Sequence, residues 1–137
     1  RVLVPLDGSQ GAEGVLHHLE LVPHTAQAQL TLLRVVAPVP AAGDVALGGS
    51  DALSELKHSL LAVRSDLAAT VARLAESFPE VRAQVQVAPL PAEAILAFAR
   101  HWEADLIAMT SSGRGGLERL RLGSVAAQLI GAAPCPL

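Results

Sequence analysis

Hydrophobic and polar positions along the chain fall into blocks that change period several times. The run Val2-Leu-Val-Pro-Leu6 is apolar and closes on the turn cluster Asp7-Gly8-Ser9, which predicts a buried strand. Ala12, Val15, Leu16, Leu19 and Val22 then recur at helical spacing, with Ser9 as the predicted N-cap, Glu13 in the first turn and Pro23 as the stop. Leu30 to Val36 predicts a second strand, and the Pro/Ala/Gly-rich stretch from Pro38 to Gly49 a loop. From Asp51 to about Phe78 a stripe of Leu53, Leu56, Leu60, Val63, Leu67, Val71 and Leu74 predicts one long amphipathic helix with its stripe in the core. Val81 to Val87 alternates with Arg82, Gln84 and Gln86, the pattern of a strand near a sheet edge. Pro91 opens a third helix that runs to about Trp102, and Asp105 to Met109 reads as a fourth strand. A Gly/Ser/Arg loop follows from Thr110 to Leu122. A last helix starts at Gly123-Ser124 and runs to about Ile130, and Pro134 to Leu137 reads as the cut-off start of a fifth strand.

Strands that alternate with helices imply a doubly wound α/β fold, an open parallel sheet with helices on both faces. Five strands are expected, the fifth truncated. The chain has 137 residues, read as one domain over 1–137. It begins at Arg1 without Met and is expected to be short by a few residues at each end.

Composition narrows the function. Hydrophobic residues are 51% and aromatic residues only 2%, so the core is aliphatic and a base-stacking platform is disfavoured. The net charge of -3 makes nucleic acid a poor partner. No apolar run reaches the ~18 residues of a membrane span. The single Cys135 excludes an internal disulfide framework and points to a reducing, cytoplasmic setting. His17, His18, His24, His58 and His101 lack metal-ligand spacing, so no metal site is assigned. Asp7 and Ser9 have no His placed as a base, and no catalytic residue is assigned.

In an open parallel sheet, ligands bind beyond the carboxyl ends of the strands. The segment after the fourth strand is rich in Gly113, Gly115, Gly116 and Gly123, which let backbone N–H groups approach an anion. Ser124 adds a hydroxyl at a helix start, and Arg114, Arg119 and Arg121 add positive charge. Two readings stand side by side here, a phosphate cradle and an ordinary Gly turn with a Ser N-cap. There is no G-x-x-x-x-G-K-[ST] run, and Glu118 stands where the dinucleotide fingerprint has Gly.

Three segments resemble the universal stress protein (UspA-like) family: Val2 to Ser9 with Ala12-Glu13; Pro91 to Ile95 with Ala104 to Met109; and Gly113 to Leu117 with Leu122 to Ala126, closed by Ala133 to Pro136. The resemblance implies an adenine-nucleotide α-hydrolase-like fold, a homodimer, and either ATP binding, with Mg, or its loss. It assigns Pro5, Leu6 and Thr110 to the nucleotide site, with Asp7 on the ribose and phosphate side, Val35 against adenine, and Met109 at the adenine and ribose edge. Gly113, Arg114, Gly123, Ser124 and Val125 match the phosphate cradle. The family pattern has Gly where this chain has Thr110, and often Gly where it has Pro89. The expected function is an ATP-binding or related adenine-nucleotide-binding stress protein with at most slow hydrolysis. The alternatives are a stress or partner-binding protein without nucleotide and, less favoured, an ATP-using enzyme of the wider group.

Overall fold

A computed structural model of the chain describes residues 1–22, 27–38, 49–111 and 122–137. These hold β1 (Val2–Pro5), α1 (Gln10–Leu21), β2 (Gln29–Val36), α2 (Gly49–Leu74), β3 (Glu80–Val87), α3 (Pro91–His101), β4 (Leu106–Ile107) and α4 (Ser124–Ile130). Every strand pairing is parallel, in the order β3-β2-β1-β4. The alternating β3 does stand at an edge. The predicted 38–49 loop falls mostly at 39–48, outside the described residues.

Parallel strands need crossovers, and these sort the helices onto two faces. Val4, Leu6, Leu30 and Leu32 pack with Leu16 of α1 and with Leu67 and Leu74 of α2. On the other face Leu3, Leu33 and Ile107 pack with Ile95 and Ala99 of α3 and Leu129 of α4. Both faces of the sheet are thus covered, which explains why β1 and β2 read as nearly unbroken apolar runs.

Two expectations need correction. The fourth strand pairs over Leu106–Ile107 alone, not 105–109. The Ala108 N–H still donates to the Leu3 carbonyl at 2.8 Å. The next rung would need Pro5 as donor, and proline has no N–H, so the ladder stops and the chain is released into the loop above. The α2 stripe, in turn, is core only in its second half. Leu67 and Leu74 are buried, whereas Leu53 is 52% exposed. The 26 residues of α2 span about 39 Å at 1.5 Å per residue, against about 26 Å for the 8 residues of β2. The first turns of α2 therefore overhang the sheet. At the predicted fifth strand the Ile107 N–H donates to the Pro136 carbonyl at 2.9 Å, and Ala133 and Cys135 pack against the core on that side. This lays the last residues along the open edge of β4, the position expected for the fifth strand.

α3 ends in a Schellman motif. Ala104 N–H donates to Ala99 at 2.9 Å and Glu103 N–H to Arg100 at 3.2 Å. Glu103 takes the left-handed position at φ 52°, a place usually held by Gly.

Candidate functional site

Neighbouring β1 and β4 send their chains to helices on opposite faces, β1 to α1 and β4 to α4. This is the switch point of the sheet, where the loops part and leave a crevice. A cleft of about 750 Å³ opens there, within the size range of small-molecule sites.

Pro5, Leu6 and Asp7 form its floor at the end of β1, and Val35 lines it from β2. Met109 and Thr110 come from the chain leaving β4, and Gly123, Ser124 and Val125 from the start of α4. All the residues assigned to the site by sequence that lie among the described ones therefore share one cleft. Gly113 and Arg114 lie outside the described residues, as do Gly115, Gly116, Arg119 and Arg121.

The β1 turn is built by a short relay. Asp7 Oδ1 accepts from the Ser9 N–H at 2.9 Å and from Ser9 Oγ at 2.7 Å. Ser9 Oγ in turn accepts from the Ala12 N–H at 3.1 Å, and so caps α1 as predicted. Asp7 is held as part of this cap and is among the residues that line the cleft. Gly8 completes the turn at φ +81°, where a side chain is strained.

At α4 the N-cap is Gly123, with no side-chain hydrogen bond to the first turn, and Ser124 is the first helical residue. A simple Ser N-cap is therefore ruled out. The Gly123 N–H donates to the Ser111 carbonyl at 2.7 Å, which ties together the two ends of the 112–121 segment. The first-turn amides of Ser124, Val125 and Ala126 have no intrahelical acceptor, and all three residues line the cleft. Gly123 stands at φ -61°, so its backbone does not require glycine. Nor does that of Thr110, since Glu103 is the only non-glycine residue with positive φ among the described residues. The departure at Thr110 thus adds bulk to the wall without backbone strain.

Sequence reading missed Arg34. Its side chain lines the cleft, donates from Nη1 to the Leu6 carbonyl at 3.4 Å, and lies against Gly8. A lone cation inside the apolar run Leu30 to Val36 was the available signal. Ser59 and Val63 of α2 also reach the cleft; Val63 packs against the core as its place in the stripe predicts, while the periodicity gives Ser59 no role.

The remaining singled-out residues lie elsewhere. His17, His18, His58 and His101 are exposed, and His24 lies outside the described residues. No group of three or more His, Cys, Asp or Glu among the described residues is placed to hold a metal ion. Trp102 is half-buried at the end of α3, 6.2 Å from Phe98. Cys135 is half-buried, and burial, with the Asp105 carboxylate second, pushes its thiol above the usual range. No described helix is long and apolar enough to cross a membrane.

Fold and cleft define an open, doubly wound α/β protein with a ligand-sized crevice at its switch point. The sequence model of the universal stress protein family matches residues 1–137, and the chain belongs to that family. It is 31% identical over 137 residues to a universal stress protein of Methanocaldococcus jannaschii, covering all of this chain and 79% of that one. The solved structure of universal stress protein UspA from Lactobacillus plantarum superposes with a TM-score of 0.82 at 24% identity, over 98% of this chain and 92% of that one. An Arabidopsis thaliana universal stress family protein solved with AMP bound superposes with a TM-score of 0.61 at 16% identity, over 98% and 86%.

Proposed function

We propose that this universal stress protein binds ATP, or a related adenine nucleotide, in the cleft at the β1–β4 switch point. One observation carries the reading. Residues from four separate stretches of sequence, which the family resemblance assigns to one ligand, all line a single crevice. The AMP-bound plant relative of the same fold supports the ligand class. In this reading adenine lies against Val35 and Met109. The ribose lies between Asp7 and Thr110, on the floor formed by Pro5 and Leu6. The phosphates, with Mg, face the first turn of α4 and the Gly113-Arg114 segment. The role is regulatory or stress-protective, with no catalytic residue and at most slow hydrolysis. The protein acts as one domain over 1–137, as a cytoplasmic homodimer, without nucleic acid or membrane as partner.

Calorimetric titration with ATP and AMP, each with Mg, tests the reading. Saturable binding is expected, and Gly123→Asp should abolish it by setting a carboxylate against the phosphates. The absence of heat at millimolar nucleotide, or full affinity in Gly123→Asp, refutes it.

One observation favours a second reading, a stress protein that works without nucleotide. The Thr110 side chain takes up room in the wall where the family pattern has Gly. If that bulk is the obstacle, Thr110→Gly binds ATP and the unaltered chain does not.

A further inference from the structure

The sheet ends at β3, and no strand among the described residues pairs with its outer side. An open edge is a row of N–H and C=O groups that can template another strand. β3 keeps its register with β2 unbroken over 8 residues and has no Pro or Lys to blunt it. Its one cation, Arg82, is paired with Glu80. The Ala88 N–H donates to the Val36 carbonyl at 3.0 Å, so Ala88 points at β2. Backbone groups alternate along a strand, so Arg82, Gln84 and Gln86 point the same way, and Val81, Ala83, Val85 and Val87 point outward. The side chains of Val81 and Val85 pack on the α1–α2 face.

Over this edge stands the outer flank of α2. Lys57, Leu61, Arg64 and Ala68 recur three or four residues apart, share that flank, and are all exposed. Arg73, on the opposite flank, is paired with Glu20 of α1, so the first flank faces away from α1. A groove of about 300 Å³ joins flank and edge, lined by Arg64, Leu67 and Ala68 and by Ala83, Gln84 and Val85. Among the described residues neither Lys57 nor Arg64 is in an ion pair. Glu55 and Asp66 stand two places from them in sequence and so on other sides of the helix.

We propose that the open edge of β3 takes an acidic, extended segment of a partner protein as an added strand, with Lys57 and Arg64 reading its carboxylates. Main-chain bonds to the outward groups of Val81 to Val87 hold the segment, and every second side chain enters the groove beside α2. A second copy of β3 is the poorer occupant. A two-fold pairing would set two cationic flanks side by side on one face, where like charges repel.

Fluorescence anisotropy with a labelled peptide of alternating Glu and Val tests the proposal, beside a peptide with Lys for every Glu. Saturable binding of the Glu peptide is expected, about ten-fold or more tighter than the Lys peptide. The double variant Lys57→Glu with Arg64→Glu lies on exposed surface and should weaken the Glu peptide by a similar factor. Ala83→Pro removes an outward N–H and spares the β2 ladder, so it should weaken the peptide as well. Thermal melts establish that each variant folds; if Ala83→Pro does not, methylating the backbone nitrogens of the peptide removes the same ladder from the other side. The proposal is overturned if the unaltered chain does not bind the Glu peptide at millimolar concentration, binds the Lys peptide equally, or keeps full affinity when the charges are reversed or the ladder is blocked. An assembly of the unaltered chain that Ala83→Pro dissolves in sedimentation means that a second copy takes the edge, and overturns it too.

Discussion

The same chemical change, glycine to alanine, should have opposite signs at Gly8 and Gly14. Gly8 sits at φ +81° in the turn that carries Asp7. An L-residue there costs about 1–2 kcal/mol. Alanine also stiffens the unfolded chain, which returns about 0.4–1 kcal/mol. The atoms that the new Cβ meets belong to the Arg34 guanidinium, the far end of a flexible side chain, so they move aside and add little. Gly8→Ala should therefore destabilise by about 1 kcal/mol, or about 3–4 °C in Tm for a chain of 137 residues. Gly14 lies inside α1, and a Cβ there meets nothing within 4 Å. Gly14→Ala should stabilise by about 0.5–1 kcal/mol from helix propensity alone. Urea melts of both variants check this, with unchanged m-values required so that midpoints report stability. Arg34→Ala, alone and combined with Gly8→Ala, closes a double-mutant cycle with an expected coupling below about 0.5 kcal/mol. Equal signs at the two glycines would refute the conformational argument. A coupling above about 1 kcal/mol would show that contact with Arg34, not φ, sets the penalty.

Two further predictions concern the β4 side of the molecule. Glu103 holds the left-handed Schellman position and its carboxylate pairs with Arg1 at 3.2 Å on the exposed surface. Comparing Glu103→Gly with Glu103→Ala cancels that ion pair, and the Gly variant should be more stable by about 1 kcal/mol in thermal melts; a more stable Ala variant would contradict it. The Cys135 thiol is shifted up chiefly by burial, so iodoacetamide should alkylate it more slowly at pH 8–9 than a free cysteine, with the rate rising above the ordinary thiol range. The linked stability term has the matching sign. The folded chain keeps the proton longer than the unfolded one, so the contribution is whole below the unfolded thiol pKa and fades as pH rises through the folded value. A Cys135→Ser variant should lose this alkaline dependence, and an unshifted alkylation profile in the parent would remove its basis.

How much of this was legible in the sequence depends on whether a feature is set by neighbours along the chain or across it. The Ser9 cap, the Pro91 start and the Gly123 start are local, and each stands within a residue of its expected place. The extent of β4 is not local. Leu106 to Met109 is apolar throughout, but pairing ends where Pro5 on the neighbouring strand has no N–H to give. The α2 stripe fails for a similar reason. Periodicity names the face of a helix, while burial also needs a surface opposite, and the sheet ends before the helix does.

The site illustrates the same division. Asp7, Met109 and Gly123 were visible because each sits just past a strand end or at a helix start, and the parallel topology gathers those points at one edge. Arg34 belongs to the strand itself, and the alternation that buries Leu30 and Leu32 would send it into the α1–α2 core. It escapes because β1 has by then turned away at Leu6 to Gly8, and the glycine leaves open the space the guanidinium fills. A charged residue two places from the end of a buried strand therefore marks the level at which the neighbouring strand leaves the sheet. At a switch point that level is the floor of the cleft, which is why a residue inside the strand pattern comes to line the crevice.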